Sequence, residues 1–185
     1  QTQCIGKMHV HPPRLTCGFQ NLQLHDGYLG CYRSLNIPHW MHQDVSDDYL
    51  QDLRNVLGED ADINTSGAEC NSWVTHPWIY EERLHPTNWV ADKSIRFLKT
   101  RDRTRPFFLM SSFVRPHQPL DPPKAYFDMY KDKELRSPAS GDWDPQNGAG
   151  AAGRISDSIY GCCDAAMRKD AMAGYYAAIT HVDHQ

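Results

Sequence analysis

Apolar positions along the 185 residues fall into separated clusters, and their spacing predicts the elements. Gln1 to Ile5 fits the end of a strand, and Gly6 turns it into a segment rich in His and Pro, kept irregular by Pro12 and Pro13. Leu50, Leu53 and Leu57 share one stripe, which predicts a helix from Ser46 to Leu57. Ser46 is the expected N-cap, Asp47 and Asp48 suit the first turn, and Gly58 suits the stop. Residues 59–86 show no sustained period and read as a long loop, a feature that tends to carry function in a compact domain. A second helix is expected from Asn88 to Thr100, capped by Thr87, with Ala91, Ile95 and Leu98 on one face.

The clearest strand runs from Pro106 to Val114 and is almost continuously apolar, as expected where a parallel sheet is covered on both faces. Pro116, Pro119, Pro122 and Pro123 then break regular structure, so His117 falls in a loop at the C-terminal end of that strand, the edge where open α/β sheets bind ligands. Lys124 to Tyr130 fits a short helix led by Pro123. Residues 137–161, rich in Gly, Ala, Ser and Asp, read as a flexible excursion. A closing helix from about Arg168 has Met172, Tyr175, Ile179 and Val182 as its apolar stripe. The alternation predicts an α/β fold, with a mainly parallel sheet flanked by helices.

Composition narrows the partners. Five Trp, nine Tyr and six Phe strongly reward burial and exclude wholesale disorder. No apolar run approaches the roughly 18 to 20 residues of a membrane-spanning helix, so no membrane partner is expected. Nineteen Lys and Arg against 23 Asp and Glu leave a net charge of -4, with no field to attract a phosphate backbone, and no nucleic-acid partner is expected. Gln1 to Ile5 lacks the basic start and apolar stretch of a secretory signal. Six Cys without a C-x-x-C pair give neither a disulfide scaffold nor a zinc knuckle and leave the compartment undecided.

Two constellations carry candidate chemistry. Gly6-Lys7-Met8-His9, with His11 beyond, offers a point positive charge and a titratable imidazole from the end of a strand. The same residues also fit a solvated Lys beside a surface His. Arg115-Pro116-His117-Gln118-Pro119 holds an imidazole between prolines, a position suited to a proton donor or an oxyanion ligand. Other groups have plainer explanations. His39 with His42, and His181 with His184, lack a third ligand for zinc. Asp47 and Asp48 complement a helix dipole. Adjacent Cys162 and Cys163 suit free thiols, and Tyr175 and Tyr176 suit packing.

Taken together, Ile5-Gly6-Lys7-Met8-His9, Gly18-Phe19, Leu24-His25-Asp26-Gly27, Pro106-Phe107-Phe108-Leu109 through Arg115-Pro116-His117-Gln118-Pro119, Asp121-Pro122-Pro123 and Gly174 to Asp183 resemble the sulfatases of the alkaline phosphatase superfamily, in the family's order. The resemblance implies an alkaline-phosphatase-like fold, here incomplete. It also implies a hydrolase of sulfate monoesters that uses a formylglycine hydrate and one divalent cation, usually calcium. It gives Lys7 contact with the sulfate and the nucleophile, and gives His9 a hydrogen bond to the formylglycine hydrate. His117 would hold a sulfate oxygen and protonate the leaving alcohol. The implied substrate is a sulfate-ester small molecule or a sulfated glycan.

Departures from the family's pattern shape the expectation. No Cys is followed by x-P-S-R or x-A-x-R, and Cys31-Tyr32-Arg33-Ser34 has the wrong order. Asp47 and Asp48 follow Lys7 and His9, whereas the family's first metal-binding Asp pair precedes the nucleophile, so no residue is assigned to metal. A further sulfate-gripping Lys is expected beyond Gln185. Residues 1–185 therefore read as the central portion of a catalytic domain, with the nucleophile and metal-ligand segments absent. Alone it is expected to be inactive, to bind no cation, and to self-associate through uncovered sheet edges. The alternatives are a phosphomonoester or phosphonate monoester hydrolase of the same superfamily, and a non-catalytic anion-binding or interaction module.

Overall fold

A computed structural model describes residues 1–10, 12–26, 47–61, 63, 72–137, 139 and 165–185. The expectations that fall on His11, Cys31 to Ser34, His39, His42, Ser46, Cys162, Cys163 and most of 137–161 lie outside these residues. The chain divides into two compact units. The first comprises Gln1–Thr65, Tyr80–Val114 and Gln185, and the second Ser66–Ile79 and Arg115–His184.

The first unit is built on a parallel sheet of three strands, β1 (Thr2–Gly6), β2 (Asn21–Leu24) and β3 (Phe108–Ser112), in the order β2-β1-β3. Cys4 in the central strand stands opposite Leu22 on one side and Met110 on the other, which brings the C-terminal ends of all three strands level at Gly6, Leu24 and Ser112. Cys4, Ile5 and Leu24 are fully buried. The short strand β2 escaped the sequence pattern because Asn21, Leu22, Gln23 and Leu24 carry too little apolar surface to declare themselves.

Helix α1 (Asp48–Leu57) buries Tyr49, Leu50 and Leu53, and burial of each such side chain contributes about 1.5–3 kcal/mol. Its cap is Asp47, whose carboxylate accepts from the amide of Leu50 at 3.0 Å, so the helix begins one residue later than a Ser46 cap requires. Leu57 points outward, 42% exposed. Gly58 ends the helix at φ 100°, as expected.

After a single 3₁₀ turn at Glu82–Leu84 comes α2 (Pro86–Thr100). Its cap is His85 rather than Thr87: the ring Nδ1 accepts from the Thr87 amide at 3.1 Å, and Pro86 takes the first helical position. The helix buries Trp89, Val90, Ala91 and Ser94, whereas the predicted face members Ile95 and Leu98 are exposed. The phase is set by polar anchors that a hydrophobic count ignores. Trp89 Nε1 donates to Asp52 at 2.7 Å, and Ser94 shares a hydroxyl hydrogen bond with Ser111 of β3. β3 is not fully buried among the described residues: Phe108 is 60% exposed, Ser111 is exposed, and Leu109, Met110 and Ser112 are half-buried.

In the second unit, Thr75 pairs with Leu120 in a parallel bridge, and the amides of His76 and Trp78 donate to the carbonyls of Leu120 and Pro122. Among the described residues it also holds two helices, α3 (Lys124–Asp128) and α4 (Ala165–His184). α4 buries Ala171, Ala173, Gly174, Ala177, Ala178 and His181, not the predicted stripe, whose Tyr175 and Ile179 are exposed. Close approach selected the small face, since a Cβ on Gly174 would stand 2.7 Å from Thr75 and 3.3 Å from Leu120. No helix among the described residues is long and apolar enough to cross a membrane.

Candidate functional site

Lys7 and His9 leave the C-terminal end of the central strand, where a parallel sheet concentrates its ligand-binding loops. The turn depends on Gly6. Its φ of 96° is disfavoured for any side chain, and a Cβ there would lie 1.9 Å from the Ser112 carbonyl oxygen. That close approach lets the ladder run one step past the strand, with the Lys7 amide donating to Ser112 O at 2.9 Å and the His25 amide to Gly6 O at 3.0 Å.

The next two amides converge. Met8 N and His9 N both donate to Oδ1 of Asp26 at 2.8 Å, and Asp26 is buried. A carboxylate taking two amide donors is a charge-assisted clamp, and it holds His9 in the left-handed region at φ 54°. Lys7 is half-buried and His9 exposed. The sequence therefore places both groups on one short, pinned loop. Asp26 was quoted within the segment Leu24-His25-Asp26-Gly27 without a role; its partners lie 17 and 18 residues upstream, a distance no local pattern spans.

Beneath this loop, His25 Nδ1 meets Asp47 Oδ2 at 3.0 Å, both side chains 1% exposed, with the imidazole edge-on to Tyr49. Asp48 accepts from the Leu24 amide at 2.7 Å and pairs with Arg14 at 3.0 Å. The adjacent carboxylates thus tie β2 to α1, beyond the dipole complementarity expected of them. The nearby thiol of Cys4 is pushed up to about 11 by burial and then by the Asp26 charge, so it stays protonated at neutral pH.

His117 lies in the second unit, on the loop after β3. It is half-buried, between the cis bonds Arg115-Pro116 and Gln118-Pro119. Its Nδ1 stands 2.8 Å from the Gln118 carbonyl oxygen. A carbonyl only accepts, so Nδ1 carries the proton and Nε2 is the nitrogen able to meet a substrate oxygen. Arg115 and Asp121 bracket the loop in a two-bond fork, Nε to Oδ1 and Nη2 to Oδ2, each 2.6 Å and buried. Sequence reasoning left this pair without a role, although both residues stood inside the quoted motifs.

His181 and His184 serve packing: the His181 ring lies 4.7 Å from that of Tyr126, and His184 Nδ1 stands 3.3 Å from the Tyr126 hydroxyl. Among the described residues, no group of three or more His, Cys, Asp or Glu could hold a metal ion. Asp26, Asp47 and Asp48 all face protein donors, and the described residues do not fit a cation site.

No protein-family model matches the chain. An arylsulfatase of Clostridium perfringens is 51% identical over 184 residues, covering 100% of this chain and 38% of that protein. The chain belongs to the sulfatase family. Arylsulfatase J of Mus musculus is 29% identical over 83 residues, 45% of this chain and 12% of the mouse protein. The crystal structure of the phosphonate monoester hydrolase of Agrobacterium radiobacter superposes with a TM-score of 0.63 at 21% identity, covering 100% of this chain and 39% of that one. This likeness shows the fold, a mixed α/β architecture with a parallel sheet and helices. The chain thus spans less than half the length of these relatives. Sulfatases generally use a divalent metal.

Proposed function

We propose that the protein carrying these residues hydrolyses sulfate monoesters, and that Lys7, His9 and His117 meet on one sulfate group. The observation that carries the reading is the pinned loop, which fixes the backbone bearing Lys7 and His9 at the C-terminal edge of a parallel sheet in a sulfatase-family chain. The segment bearing His117 leaves the same edge of the neighbouring strand, which supports the convergence.

Each group has a distinct task. Lys7 supplies fixed positive charge to the nonbridging oxygens, on which negative charge concentrates during transfer. His9 hydrogen-bonds the formylglycine hydrate and helps it collapse, which releases sulfate after the ester is broken. With both ring nitrogens protonated, His117 gives the Nε2 proton to the ester oxygen as the S–O bond breaks and keeps the Nδ1 proton on the Gln118 carbonyl, so the alcohol leaves neutral. The nucleophile of this reading is a formylglycine hydrate and its cation is calcium, both provided by residues other than those described. The substrate class is a sulfate-ester small molecule or a sulfated glycan, and the leaving alcohol is selected by loops around the site.

The full protein assayed with 4-nitrophenyl sulfate, 4-nitrophenyl phosphate and a phenylphosphonate monoester tests this reading. Sulfate is expected to turn over fastest. Lys7→Ala is expected to lower kcat by about 10²–10³-fold, the usual cost of removing one transition-state donor. Preference for phosphate or phosphonate would transfer the site to the superfamily's other esters. Tight sulfate binding without turnover would make it an anion-binding module.

A further inference from the structure

Resting on the assignment of His117 as proton donor, we propose that Arg115 and Asp121 are positioning residues that aim its Nε2 at the leaving oxygen. Their fork spans the loop from two residues before His117 to four residues after it. Both are nearly solvent-free, at 5% and 2% exposed. The Asp121 amide donates to Pro119 O, and the His76 amide to Leu120 O, so the loop is also held from inside and from the side. Between those anchors stands the Gln118 carbonyl that accepts a hydrogen bond from His117 Nδ1–H and thereby sets the ring's tilt, leaving Nε2 to carry the transferable proton of the doubly protonated ring. The line of control runs from fork to carbonyl to ring.

Stability alone is a poor reason for such a pair. Burying two charges costs about as much as their attraction returns, and apolar residues of similar volume commonly match or exceed it. What a planar two-bond fork gives that apolar packing does not is a fixed geometry. Here that geometry serves proton transfer, in which the ester oxygen takes the Nε2 proton while the sulfuryl group passes to the enzyme's nucleophilic oxygen.

Leaving-group dependence separates positioning from a merely structural role. 4-Nitrophenolate departs readily without a proton, whereas phenolate, with the basicity of a tyrosine side chain near 10, needs one. The full protein and its Arg115→Leu/Asp121→Leu, Arg115→Lys and His117→Ala variants are compared on 4-nitrophenyl sulfate and phenyl sulfate, with thermal melts of each. His117→Ala is expected to lose far more kcat on phenyl sulfate. The double variant should melt cooperatively near the parent, hold KM, and lose roughly 10²-fold more kcat on phenyl sulfate than on 4-nitrophenyl sulfate, as for a displacement of about 1 Å. If it fails to fold, Arg115→Lys, which keeps the charge without the fork, is expected to show the same bias in smaller degree. Equal losses on both substrates in a folded variant, with His117→Ala still biased, overturn the positioning role and leave the sulfatase reading standing. An unbiased His117→Ala overturns both.

Discussion

Asp26 shows how one carboxylate can pin the loop proposed to bind the sulfate. It accepts from two consecutive amides while Lys7 stands one residue before them, so its negative charge is already occupied by the backbone. Asp26→Ala removes two charge-assisted hydrogen bonds of about 1.5–3 kcal/mol each and is expected to destabilise the protein by about 2–4 kcal/mol. Urea unfolding measures this, and Asp26→Asn, which keeps an acceptor, should recover part of the loss. Gly6→Ala meets both a positive φ and the Ser112 carbonyl, and a loss above about 2 kcal/mol is expected in the same assay. Among the described residues Cys17 is exposed, whereas the Cys4 thiol is buried and pushed up to about 11. Iodoacetamide at pH 8 followed by peptide mass spectrometry should label Cys17 and spare Cys4 until denaturant is added. Lys7, His9 and His117 were singled out because each sits beside its own turn signal. The supports Asp26 and Asp121 were not: the backbone partners of Asp26 lie 17 and 18 residues upstream, and the side-chain fork from Arg115 to Asp121 follows no periodic pattern.

Helix positions were legible from periodicity, whereas two of the buried faces were not. In α2 the phase follows Trp89 on Asp52 and Ser94 on Ser111, hydrogen bonds that outrank the apolar stripe through Ile95 and Leu98. In α4 the large side chains lie outside, and Ala171, Gly174, Ala178 and His181 make the contact because Thr75 and Leu120 come so close. Size, not hydrophobicity, chose that face. Ala178→Leu is accordingly expected to cost about 1–3 kcal/mol by overpacking, against about 0.5 kcal/mol or less for Ile179→Ala. Thermal melts of the two variants compare them directly. The expectation of a two-sided β3 fails for a related reason: an apolar run announces surface that needs cover without naming the cover, and Phe108 stays exposed at the edge of the described sheet.

At the scale of the whole molecule, each unit carries residues that the proposed function uses. The first supplies Lys7 and His9 on a loop pinned to the parallel sheet, and the second supplies His117 on a loop held by a buried ion pair. The parallel sheet and its helices were legible from alternating patterns, and family membership from motifs spread over most of the chain. The division into two units was not, because each is assembled from separate stretches of sequence. A crystal structure of the full protein with inorganic sulfate bound is the most direct measurement. The account requires Lys7 Nζ and ring nitrogens of His9 and His117 each within about 2.7–3.2 Å of oxygens of one sulfate ion. Sulfate bound elsewhere, or those three groups opening onto separate cavities, would contradict it.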